Sequence, residues 1–107
     1  MQFKEIDFSD AKITKVFTNG ENLVVNFDDW QEKQHTLTFK EVVGFQSFSP
    51  EGQELSHGVS DEKDSFIAAA CEAAQEDSPD DFQCYRLISP WTEKSILTIV
   101  ARSFTYL

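Results

Sequence analysis

The sequence predicts an α+β domain: an antiparallel β-sheet of five to six strands with one α-helix, about residues 62–76, packed on one face. Three observations predict it. Blocks rich in β-branched and aromatic residues fill both ends of the chain, an alanine-dominated stretch lies between them, and the order of strands, helix, strands puts that helix in a single connection. With 107 residues, 40% hydrophobic content and ten phenylalanines, the chain can bury one core of ordinary size, so residues 1–107 read as a single domain.

Residues 3–8, within MQFKEIDFSD, read as a short first strand. Lys4, Glu5 and Asp7 interrupt the apolar run that a signal peptide needs, and no stretch approaches the roughly 18 apolar residues of a membrane span. The expectation is a soluble, cytoplasmic protein that does not engage a membrane. Residues 12–18 (KITKVFT) and 23–27 (LVVNF) form the next two strands, with Asn19-Gly20-Glu21-Asn22 as a hairpin connection. Residues 35–39 (HTLTF) make another. Leu23, Val25 and Phe27 share one face, as do Leu37 and Phe39, which gives the sheet a greasy side and a wetter one. This third block is expected to run on to Phe48 with a bend at Gly44. Residues 82–88 (FQCYRLI) and 95–106 (SILTIVARSFTY) supply two final strands.

The helix is expected to be capped at Asp61 and built on SFIAAACEAAQ, because alanine is the best helix former. Its spacing puts Phe66, Ile67, Ala70, Cys71 and Ala74 on one flank, which should cover the greasy side of the sheet. Cys71 and Cys84 have neither CxxC nor Cys/His spacing, and they read as reduced thiols serving as small core residues.

Charge is the most informative feature. The chain carries a formal net charge of −10, and residues 51–81 hold ten carboxylates against Lys63 alone. On a helix, Glu62, Glu72 and Glu76 fall opposite Phe66 and Ile67, with small residues between them. Acid near the last turn opposes the helix dipole by roughly 0.3 to 1 kcal/mol per exposed group, so folding alone does not select Glu72, Glu76 and Asp77 there. A solvated face that keeps the protein soluble is the simplest reading of such charge, yet solubility does not require that lysine be nearly absent over so long a stretch. An anionic face repels nucleic acid, and no basic patch with interleaved aromatics offsets it, so direct DNA or RNA binding is disfavoured. The fitting partner is a cationic protein surface, toward which dense acid accelerates encounter.

Catalytic signatures are sparse. His35 and His57 lack metal-ligand spacing, and the lone loop histidine His57 reads as a surface residue. Asp28-Asp29 and Asp80-Asp81 are better explained by turn chemistry than by paired-carboxylate catalysis, and Asp77–Asp81 lacks a calcium-loop pattern. No GxSxG, SxxK or phosphate-cradling glycine loop occurs. The expectation is a binding protein rather than an enzyme, with no metal and no cofactor.

Its concrete form is an immunity or antitoxin-type inhibitor that covers the substrate cleft of a cationic toxin such as a nuclease. Its size, acidity and lack of catalytic motifs resemble immunity proteins as a type. The nominated partner-binding residues are Glu62, Asp64, Glu72, Glu76, Asp77, Asp80, Asp81 and Trp91. Trp30 and Trp91 both fall in connections, where a tryptophan more often folds back as a lid on the core than serves as an interface anchor. Two contrasting expectations are an accessory domain that self-associates or binds peptide through its sheet, and an enzyme or small-ligand binder with a site between helix and sheet.

Overall fold

A computed structural model describes residues 1–107. Its eight strands, all paired antiparallel, form two four-stranded sheets rather than one. The first sheet contains β1 (Lys12–Asn19), β2 (Asn22–Asp28), β3 (Gln34–Lys40) and β8 (Ser103–Tyr106), in the order β1-β2-β3-β8. The second contains β4 (Gly44–Ser47), β5 (His57–Asp61), β6 (Gln83–Ile88) and β7 (Ser95–Ala101), in the order β4-β7-β6-β5. One helix, α1 (Ser65–Ala73), connects β5 to β6. None of its helices is long and apolar enough to cross a membrane.

The hairpin between β1 and β2 follows the sequence signal, with Asn19 opposite Asn22 and Gly20 left-handed at φ 63°. The sheet count differs for a reason that lies in two crossings. Residues 34–47 do not form one bent strand in one sheet: β3 ends at Lys40, Glu41 adopts φ 53°, and β4 begins in the other sheet. Residues 95–106 likewise divide at Arg102 into β7 and β8. Because β3 pairs with β8 and β4 with β7, both segments leave one sheet and enter the other at a shared corner. The Arg102 N–H donates to the Lys40 carbonyl there, and the Val43 N–H to that of Val100.

Each sheet therefore has an inner face that meets the other. Leu23, Val25, Phe27, Leu37 and Phe39 face Tyr85, Leu87, Leu97, Ile99 and Ala101 in one buried cluster. Residues 3–8 are not a strand. Phe3–Glu5 forms a 3-10 turn, and Phe3, Ile6 and Phe8 enter the space between the sheets. Phe3 rests edge-on to Tyr85 and Phe104 at centroid distances of 5.0 and 5.3 Å. On the far side, segment 52–55 bonds to Ile13 of β1 through Gly52 and Gln53 and to Ala11 just before it through Leu55, which brings the chain up to β5.

The helix does not cover the greasy face of β1 to β3, which already meets the second sheet. Ile67, Ala70 and Cys71 pack on the outer face of the second sheet, against Phe82, Cys84 and Val100. Gly44 makes this approach possible, since a Cβ there would lie 2.9 Å from the Ala70 Cβ. The helix is also shorter than its alanine content suggests. Asp61 ends β5, and Asp64 is the N-cap, accepting from the Phe66 N–H at 2.9 Å. At the other end Gln75 is left-handed at φ 59°, and the Glu76 N–H reaches the Cys71 carbonyl at 2.8 Å, a Schellman closure without its usual glycine. Cys71 and Cys84 are free and buried, and burial pushes the Cys84 thiol up to about 11.

Gly58 of β5 is equally constrained, since a Cβ there would lie 2.6 Å from the Phe3 ring and 2.8 Å from the Phe8 ring. Gly58→Ala is expected to destabilise the fold by about 1 to 3 kcal/mol through overpacking, read as a lower urea midpoint at constant slope. An unchanged midpoint would mean that the N-terminal aromatics do not pack as described.

Candidate functional site

The double crossing gathers carboxylates that are distant in sequence. A cleft of about 280 Å3 at the corner is floored by Val42, Val43, Ala74 and Phe82 and rimmed by Glu21, Glu41, Glu76 and Arg102. Glu21 comes from the β1–β2 turn, Glu41 from the first crossing, and Glu76 from the end of α1. Arg102 pairs with Glu41 and with Asp81, its Nε 3.4 Å from Glu41 and its guanidinium nitrogen donating to Asp81 at 3.1 Å, and its guanidinium carbon lies 4.8 Å from the centre of the Phe82 ring. Glu72, Glu76, Asp77 and Asp80 are exposed and have no basic side chain within 4.0 Å.

The nominated residues thus divide. Glu72, Glu76, Asp77, Asp80 and Asp81 stand at or beside the end of α1, and Asp81 is neutralised by Arg102. Glu62 and Asp64 lie at the opposite end of the helix and outside its first turn. Asp64 is occupied structurally, since besides capping α1 it accepts from the Arg86 guanidinium with only 13% of its side chain exposed. That bond holds the Asp64 carboxyl below its usual range, and the Phe66 N–H adds to the effect. Trp91 follows β6 whereas Asp81 precedes it, and six strand residues separate the two by about 20 Å. Trp91 is 78% exposed and Trp30 66%, so neither is a lid on the core.

Sequence reasoning missed Glu21, Glu41 and Arg102, whose only signal is the crossing that unites them. It also missed a polar chain at the far end of the first sheet. Asp29 Oδ1 accepts from the Gln31 and Lys33 N–H groups, the turn chemistry expected of it. Its Oδ2 lies 2.8 Å from His35 Nε2, and His35 Nδ1 lies 3.0 Å from the Tyr106 hydroxyl. The bond to His35, then the Lys33 N–H, lowers the pKa of Asp29. The His35 ring also stacks with Phe27 and with Tyr106 at 5.1 and 5.5 Å, and those two rings stack with each other at 6.1 Å. This chain ties the loop after β2 to the C-terminal strand. His57 is exposed at the start of β5 and bonds only its neighbour Ser56.

The chain matches no protein-family model, no curated protein and no solved structure.

Because the Asp64 pKa is depressed in the folded state, its contribution to stability is present above its ordinary value of 3.8 and lost as pH falls through the folded value. Asp64→Ala is expected to cost about 1 to 2 kcal/mol at pH 7 through loss of the cap and the Arg86 partner. The gap from the wild type should narrow below pH 3.8, measured by urea unfolding across pH. A gap constant with pH would contradict the ion pair.

Proposed function

We propose that this protein is a binding protein rather than an enzyme, and that it docks the anionic corner and adjoining helix end onto a basic protein partner. The observation that carries this reading is the convergence of Glu21 and Glu41 with Glu76 and Asp81 around one arginine, while Glu72, Asp77 and Asp80 nearby have no counter-charge within 4.0 Å. Like charges gathered in this way repel one another, and a positive surface laid over them relieves that repulsion. The apolar floor of Val42, Val43 and Ala74 would pack against the aliphatic stem of an inserted lysine or arginine.

The concrete form of the proposal is an immunity or antitoxin-type inhibitor acting in the cytoplasm on a cationic toxin, such as a nuclease. A nuclease cleft must attract phosphate, and carboxylates can therefore occupy it. The proposal involves no metal, cofactor, nucleic acid or membrane. A second reading, an accessory domain that pairs through its sheet, draws support from the edge strand β4, where Phe45 is 44% exposed, and from Phe48 just beyond it at 60%.

Capture from a lysate of the source cells, quantified by mass spectrometry, separates the two. The wild type should retain a basic protein whose association slows at least tenfold between about 50 and 500 mM salt, as steered encounters do. The variant carrying Glu72→Lys, Glu76→Lys and Asp80→Lys should lose it, and co-expression of the wild type should suppress that protein's toxicity. Capture that survives both the reversal and high salt would overturn the electrostatic reading and favour the sheet edge.

A further inference from the structure

The connection between β6 and β7, residues 89–94, is closed by its own backbone. The Ser89 N–H donates to the Lys94 carbonyl at 2.9 Å, and the Glu93 N–H to the Ser89 carbonyl at 3.0 Å. Phe48, just beyond β4, is held against the start of β7 by the bond from its N–H to the Ile96 carbonyl at 3.0 Å. An open cleft of about 420 Å3 lies between these segments, with Phe48 and Ile96 as its apolar part and Gln53, Ser89, Thr92 and Lys94 in its polar lining.

The polar groups of this cleft favour donation. Ser89 Oγ accepts from the Trp91 N–H at 3.2 Å and Thr92 Oγ1 from the Lys94 N–H at 3.3 Å, and neither hydroxyl donates to a protein acceptor. Each therefore keeps its proton for a ligand or for water. Ser95, also in the lining, is occupied within the fold, donating to the Leu97 carbonyl at 3.0 Å and meeting Thr98 Oγ1 at 2.6 Å. Lys94 is the one charged side chain in the lining, and no carboxylate lies within 4.0 Å of its ammonium. Glu51 and Glu54 flank Gln53 in sequence, and Glu93 precedes Lys94, yet none of the three lines the cleft. Glu93 instead lines the neighbouring hollow with His57 and Pro90.

We propose that this cleft binds a small monocarboxylate with an apolar body, of about fourteen non-hydrogen atoms or fewer. The size follows from the volume, room for about fourteen waters at about 30 Å3 each. The charge follows from the donors: the Lys94 ammonium, the Ser89 and Thr92 hydroxyls and the Gln53 amide would converge on the carboxylate, while Phe48 and Ile96 receive the body. A single lysine balances a single negative charge, and in a chain of net charge −10 a dianion such as phosphate is disfavoured. The site is independent of the docking corner. It lies at the start of β7 and Arg102 just past the end, so seven strand residues separate the two by about 20 Å.

3-Phenylpropionate is the probe, titrated in about 150 mM salt to screen the acidic surface and followed by amide chemical shifts. Saturable shifts centred on Ser89, Thr92, Lys94 and Ile96 are expected, with half-saturation at about 5 mM or below, ordinary for a ligand of this size. Lys94→Met keeps the stem and removes the charge, and should weaken binding about fivefold; Thr92→Val keeps the shape and should weaken it about threefold. The neutral 3-phenylpropanamide should bind the wild type at least fivefold more weakly and should not distinguish it from Lys94→Met. Shifts that do not saturate, that centre on residues 41–43 and 74–82, that the amide reproduces at equal concentration, or that both variants leave unchanged would overturn the proposal.

Discussion

Two extended segments leave the first sheet and enter the second at one corner, and most other features of the fold follow from this. Residues 34–47 and 95–106 travel as a paired ribbon, bonded as β3 with β8 before the corner and as β4 with β7 after it. Backbone pairing is kept across the bend by the bonds from Arg102 to Lys40 and from Val43 to Val100, so few polar groups are stranded where the chain turns. The bend lays two apolar faces against each other. It leaves a gap at the free side, and the N-terminal phenylalanines fill it.

The same bend explains why acid accumulates where it does. Glu41 is the turning residue, with a left-handed φ of 53°, and the β1–β2 turn that carries Glu21 is bonded to the crossing through the Val42 N–H. From the other sheet, the left-handed Gln75 ends the helix and delivers Glu76 to that place. Left-handed backbone at a residue with a side chain costs of order 1 kcal/mol, and here it accompanies unfavourable charge at a helix C-terminus. The left-handed residues serve the fold, Gln75 by closing the helix and Glu41 by turning the chain between the sheets. The acid at the helix end has no such role, which is consistent with the docking surface proposed above.

Much of the local structure was legible in the sequence and the assembly was not. The Asn-Gly hairpin, the alternation in β2 and β3 and the buried flank of α1 follow rules that act within about ten residues. The crossing at Arg102 carries no glycine or proline, so SILTIVARSFTY read as one strand although its halves lie in different sheets. β5 was missed because HGVSD holds one large apolar residue and its glycine is a packing requirement set by Phe3 and Phe8. The apolar positions 3, 6 and 8 have no period of two, which in hindsight fits a turn followed by extended chain. Of the nominated site, the residues contiguous in sequence from Glu72 to Asp81 stayed together, whereas Asp64 went to a cap and Trp91 to the far end of β6. A charge census sees composition, but only the topology says which carboxylates are neighbours.

Cross-strand nuclear Overhauser effects test the shared corner most directly. The topology predicts contacts between Phe104 and Phe39 and between Tyr106 and Leu37 on one side of Arg102, and between Val100 and Gly44 and between Thr98 and Gln46 on the other. Contacts from the whole of residues 95–106 to neighbours in one continuous sheet would contradict the crossing, and with it the gathering of Glu21, Glu41, Glu76 and Asp81 at one place.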